Sequence, residues 1–145
     1  MNKPDQSRNQ DFFTPSKLVH ASVKAFNSGK LGIVLEYFAE DAVFELSGIQ
    51  PGHSGRFTGK DNLRVWLKEL SSQHFQFEVE IISDQNFLVI TKTLIWSDQT
   101  RQLGVAPLLA TDQYLVQDGK IKYVQRNLHP ESLSKFLAAQ AHIHE

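Results

Sequence analysis

The spacing of apolar residues changes period partway along the chain, and this limits the folds open to it. Through Leu70 they recur at the helical interval of roughly 3.6 residues; from Phe75 onward they alternate. The resulting order is helix, helix, strand, helix, then an antiparallel meander. That order predicts an α+β fold: a cone-shaped, curved antiparallel sheet wrapped around three N-terminal helices, with a short C-terminal helix.

The first helix opens at Thr14-Pro15, a cap followed by proline at the first helical position. Its stripe is Leu18, Val19, Ser22, Val23 and Phe26, and "NSG" at 27–29 stops it. A second helix shows Leu31, Val34, Leu35 and Phe38 on one face. "DAVFEL" reads as a strand in which Phe44 and Leu46 share a face, and residues 47–57 form a glycine-rich loop. Thr58 to Asp61 looks like a helix-start box ahead of Leu63, Trp66, Leu67 and Leu70. Four strands follow at about 75–84, 86–97, 102–117 and 120–129. Turns are expected at "SDQN", "SDQT" and "QDGK", the last carrying an Asp-Gly pair suited to positive φ. Pro130 opens the final helix, with Leu133, Phe136 and Leu137 as its stripe. Residues 1–14 read as a flexible polar tail onto which Phe12 and Phe13 could dock, and 15–141 as a single domain.

Composition narrows the function classes. A formal net charge of −1, with scattered Lys and Arg, gives no reason to expect nucleic acid or a membrane surface as partner. No cysteine is present, so disulfides, thiolate metal sites and a cysteine nucleophile are excluded. No apolar run approaches a membrane span, and the polar start lacks a signal-peptide core; a cytoplasmic protein is expected. The six histidines are dispersed, and His142 and His144 have the wrong spacing for one helix face, so no metal site is expected. "GHSGRFTG" lacks the strand, helix and Lys-Ser/Thr of a phosphate loop, and Ser54 lacks a nucleophile elbow. No cofactor is expected.

From about 15 to 137 the chain resembles the nuclear transport factor 2-like superfamily, in its SnoaL-like and ketosteroid isomerase-like branch. The resemblance is carried by "FNSGKLGIVLEYFAEDAVFEL", "GRFTGKDNLRVWL" and "YLVQDGKIKYV", and "WSDQTRQLGVAPL" adds to it. It implies a cone with an internal pocket, on a scaffold that hosts isomerases, cyclases, dehydratases and non-catalytic binding domains. The isomerase branch implies a carboxylate base, a tyrosine and a protonated Asp as site groups. Those positions fall on Leu46, Ser22 and Asp112. One of three roles survives, so steroid isomerase chemistry is not expected.

Asp112 is the residue that does not fit its surroundings. It stands between the apolar stretches Leu108–Ala110 and Tyr114–Val116, and on a regular strand it shares a face with Ala110, Tyr114 and Val116. A buried carboxylate has two accessible states. It can stay ionised beside a cation, or become a neutral acid that donates a hydrogen bond. The available cations are Arg126, Arg101 and Lys92, and Arg126 shares a face with Val124 and Leu128 on the next strand. Such a pair could bind a polar or anionic ligand group. The alternative is a structural carboxylate satisfied by backbone amides, water or a tyrosine.

Phe44 and Leu46 should line the cavity, Trp96 could form its wall or rim, and Tyr114 could supply a phenol. His53 lies where the mouth would be. Trp66 reads as core. Phe87, Val89, Ile95, Val105, Pro107 and Leu109 are expected opposite Asp112, where they would pair sheet to sheet in a homodimer.

Two functions follow as expectations. In one the domain binds a small apolar molecule with a polar group. That domain would be ligand-binding only or a cofactor-independent isomerase, cyclase or dehydratase with Asp112 as acid or oxyanion donor. The alternative is a non-catalytic dimeric ligand-sensing or interaction module.

Overall fold

Thr14 accepts a hydrogen bond from the Lys17 amide (3.4 Å), and Pro15 begins the helix that this cap announces. In the computed structural model, which describes residues 14–47 and 55–143, this helix is α1, Pro15–Asn27. It ends where Gly29 takes φ +77° and its amide reaches the Phe26 carbonyl. Leu18, Val19, Ser22, Ala25 and Phe26 form its buried face. Next come α2 (Leu31–Glu36), β1 (Phe38–Ser47), β2 (Arg56–Thr58) and α3 (Lys60–Ser72). The meander is β3 (Gln76–Gln85), β4 (Leu88–Trp96), a short α4 (Asp98–Gln102), β5 (Leu108–Gln117) and β6 (Lys120–Leu128), and α5 (Pro130–Ile143) closes the chain.

The six strands form one curved, unclosed sheet in the order β2-β1-β6-β5-β4-β3. Four pairings among the described residues are antiparallel; β1 lies parallel to β6. The chain leaves β1, crosses through α3 and the meander, and returns beside its starting strand. Helices α1 and α3 lie against the concave face, α1 over β3 and β4 and α3 over β1 and β2. The core between them includes Leu18, Val19, Leu63, Val89, Ile121 and Val124.

Three local readings differ from the sequence expectation. The box at Thr58 to Asp61 does not form: Thr58 belongs to β2, and Gly59 at φ +85° starts α3 with no side-chain cap. "SDQT" is more than a turn. Ser97 accepts from the Thr100 amide and the Thr100 hydroxyl accepts from the Ser97 amide, a reciprocal box that nucleates α4. The strand expected from 102 therefore begins at Leu108. Val89 and Ile95 also lie on the same inward face as Asp112, because register pairs Val89 with Tyr114, Thr91 with Asp112 and Ile95 with Leu108. The opposite face carries Leu88, Ile90, Leu94, Trp96, Leu109 and Leu115, all half-buried.

Both hairpin tips place two residues at positive φ. Asp118 and Gly119 (φ +53° and +74°) fill the turn predicted at "QDGK". At the β3–β4 tip the pair is Asn86 and Phe87 (φ +55° and +65°), and Phe87 is 65% exposed. A bulky residue in the left-handed region costs about 1–2 kcal/mol, with little burial here to offset it. Phe87→Gly should therefore raise stability by about 0.5–1 kcal/mol in urea denaturation, after the larger chain entropy of glycine is subtracted.

Candidate functional site

Asp112 and Arg126 face each other directly across β5 and β6. A bulge sets this register. Next to the turn Val116 pairs with Ile121, but Leu115 pairs with Tyr123, so Lys122 has no partner. Counting straight back from the turn would set Gln125 opposite Asp112; the extra residue puts Arg126 there.

The pair is bidentate. Arg126 donates from Nε to Asp112 Oδ1 (2.9 Å) and from Nη2 to Oδ2 (2.8 Å). The Thr93 hydroxyl donates to Oδ2 (2.9 Å) and lies 2.8 Å from the Thr91 hydroxyl. The Tyr114 phenol makes a longer bond to the same oxygen, 3.4 Å. Asp112 is 0% and Arg126 7% exposed. Of the two states open to a buried acid, pairing with a cation is the one found. The Arg126 guanidinium also lies over two rings, with its carbon 4.7 Å from the Phe77 centroid and 5.2 Å from that of Phe44.

Electrostatics follow from this packing. Burial, then the negative charge of Asp112, pushes the Tyr114 phenol up from its ordinary value, and Arg126 only partly opposes this. For Arg126 burial disfavours the charge, but the charge and hydrogen bonds of Asp112, with Tyr114 behind them, outweigh it and hold the guanidinium above its ordinary value.

Two cavities meet at Arg126. The smaller, about 50 Å³, lies under α1 and α3 between Ser22, Phe26, Phe44 and Tyr114. The larger, about 200 Å³, opens toward α4 and α5 and is lined by residues including Leu46, Ile95, Leu108, Leu128 and Phe136. Trp66, Leu70, Phe77 and Arg126 line both. Polar groups on the larger wall are Ser47, Ser97, Gln99, Thr100 and Arg126. Arg126 is the one charged side chain on either wall among the described residues.

The candidate residues thus separate. Arg126 lines both cavities, Phe44 and Tyr114 the smaller, Leu46 the larger. Asp112 is on neither wall; it stands behind Arg126 and reaches the space through it. Trp96 points to the sheet face opposite Ile95 and lines neither cavity, because residue 96 alternates with the inward Thr93 and Ile95 positions. His53 lies outside the described residues. Trp66 is a cavity wall as well as core, stacked on Phe57 at 4.3 Å and edge-on to Phe44 at 4.8 Å. Sequence reasoning missed Thr93 and Phe77. Their signals were the polar "TKT" alternation opposite Asp112 and the alternating aromatics of "FQF". Among the described residues no group of His, Asp and Glu could hold a metal ion, and no helix is long and apolar enough to cross a membrane.

A curved mixed sheet folded over helices, with a hollow between them, defines the nuclear transport factor 2-like cone. Within that class the chain belongs to the SnoaL-like domain family, which matches residues 19–124. No curated protein matches it significantly in sequence. Solved structures share the fold at low identity. Bal32a, from a soil-derived mobile gene cassette, superposes with a TM-score of 0.70 at 15% identity, covering 84% of this chain and 92% of that one. An NTF2-like protein of unknown function from Cytophaga hutchinsonii gives 0.66 at 16%, covering 84% and 96%. An LEH-like epoxide hydrolase from M. tuberculosis gives 0.62 at 17%, covering 88% and 92%.

Proposed function

We propose that the domain binds a small, mostly apolar molecule in the larger cavity, with a hydrogen-bond acceptor of that molecule on Arg126. One observation carries this reading: among the described residues the one cation on the walls is buried, and Asp112 occupies its Nε–Nη2 edge. Nη1 makes no bond to Asp112, Tyr114 is the other group beside the guanidinium, and Arg126 lines the cavity, so Nη1 is the side we assign to a ligand. Apolar walls supply affinity, and Arg126, the charged donor among the polar groups of the described wall, supplies orientation. Asp112 then acts as the group that positions Arg126.

A specific observation favours binding over acid–base catalysis. The described walls carry no His, Asp, Glu or Lys, and Leu46 stands where the family resemblance would put a base. Proton transfer needs such a group within reach of the substrate. In this reading a second copy of the chain covers the outer sheet face at Leu88, Leu94, Trp96 and Leu109. Sedimentation at micromolar concentration should then give twice the 16.5 kDa of one chain.

The binding claim is tested with an aromatic ketone, 2-acetylnaphthalene, in a thermal-shift titration. Saturating probe should raise the Tm of the wild type by several degrees, as expected for about 2–3 kcal/mol of linked stabilisation. Leu46→Trp, which fills the cavity from its wall, should abolish the shift. An unshifted wild type, or an equal shift in Leu46→Trp, would count against the reading.

A further inference from the structure

We infer that Asp112 sets the charge of the ligand: the cavity selects an uncharged carbonyl compound, a ketone, aldehyde, ester or lactone, and rejects the matching carboxylate. This rests on the binding reading above and narrows it to a substrate class.

A lone buried arginine would attract an anion. Here the guanidinium charge is already balanced by a carboxylate in bidentate contact, at 2.9 and 2.8 Å. What lines the cavity is the Arg126 member of a neutral pair, whose Nη1 is not used by Asp112. A ketone oxygen accepts from that edge and leaves the site neutral. A carboxylate makes the same hydrogen bond but brings a second negative charge close to Asp112. No other cation on either described wall can balance it, and the rings that flank the guanidinium, Phe44 and Phe77, offer no solvation.

Tyr114 acts as an internal reporter of this field. Its phenol stands beside both members of the pair and lines the smaller cavity. The attraction of Arg126 does not compensate for burial and the repulsion of Asp112, so formation of an anion there is opposed. A ligand carboxylate at the neighbouring position meets the same burial and the same repulsion from Asp112. Specificity of this kind comes from a repulsive element as much as from an attractive one.

The test uses two probes of nearly equal shape, 2-acetylnaphthalene and 2-naphthoate, titrated calorimetrically at pH 7.5. Wild type should bind the ketone tighter by about tenfold or more. Asp112→Asn removes the negative charge while keeping an acceptor for Arg126, and it should invert the preference. Near-ultraviolet circular dichroism checks that this variant is folded. A second measurement needs only the wild type. If 2-naphthoate enters as the neutral acid, its binding takes up one proton, and the apparent enthalpy changes between buffers of different ionisation heat. Equal affinity for the two probes without proton uptake overturns the inference and leaves the binding reading intact. Absence of wild-type binding to both probes, with Leu46→Trp indistinguishable from wild type, overturns both.

Discussion

Asp112→Ala should be the most damaging single substitution in the site, lowering the unfolding free energy by about 3–5 kcal/mol. The reason is what it leaves behind. Arg126 would keep its charge inside the sheet, over the rings of Phe44 and Phe77, with no counter-ion on β5. The Thr93 hydroxyl would lose its acceptor as well. Removing both charged groups is a different experiment. Asp112→Leu with Arg126→Met fills the space with apolar volume and creates no unpaired ion, so the double variant should lie within about 1–2 kcal/mol of wild type. Urea denaturation with fitted slopes reads both. If the single and double variants are equally destabilised, the pair acts as packing and its charge is irrelevant to stability. The double variant should also lose the ketone shift while remaining folded, which separates a binding role for Arg126 from a structural one.

How far this pair was legible in the sequence depends on one bulge. The lone acid inside "LLATDQYLV" marked Asp112, and the Asp-Gly turn tied its strand to the one bearing Arg126. Regular counting from that turn gives the wrong partner. Lys122 corrects it, and the clue is that Ile121 and Val124 are three residues apart yet both buried. Alternation within a strand is readable; the offset between strands is not, because hydrophobic pattern fixes a face and not a register. The same limit explains Val89 and Ile95, whose parity was sound but whose face was assigned without a partner strand. It also explains Trp96. The Thr58 box failed for another reason: Thr58 pairs with Val43 across β1 and β2, and this sheet pairing outweighs a local cap. Helix stripes transferred well, since the 3.6-residue period needs no partner to be read; the exception is Phe38, read on the second helix but placed at the start of β1. The cavity itself was an inference from curvature, and the larger one draws its walls from eight elements, which no local window contains.

Phe77→Ala should be the second largest effect, about 3 kcal/mol, and the reasons for it can be separated. The ring packs against Phe26 at 5.2 Å, forms part of both cavity walls and lies under the Arg126 guanidinium. Truncating a packed phenylalanine costs about 3–5 kcal/mol; the lower end applies because one side already faces empty space. Phe77→Leu restores most of the volume and removes the ring, so its residual loss isolates the face-on contact with the cation, expected at about 1 kcal/mol. A double-mutant cycle decides whether that assignment holds. In the Asp112→Leu, Arg126→Met background there is no cation to lose, and Phe77→Leu should cost about 1 kcal/mol less than in the wild type. An identical cost in both backgrounds would mean the ring contributes through packing alone. The aromatic walls would then shape the cavity without helping to hold its one charge in place.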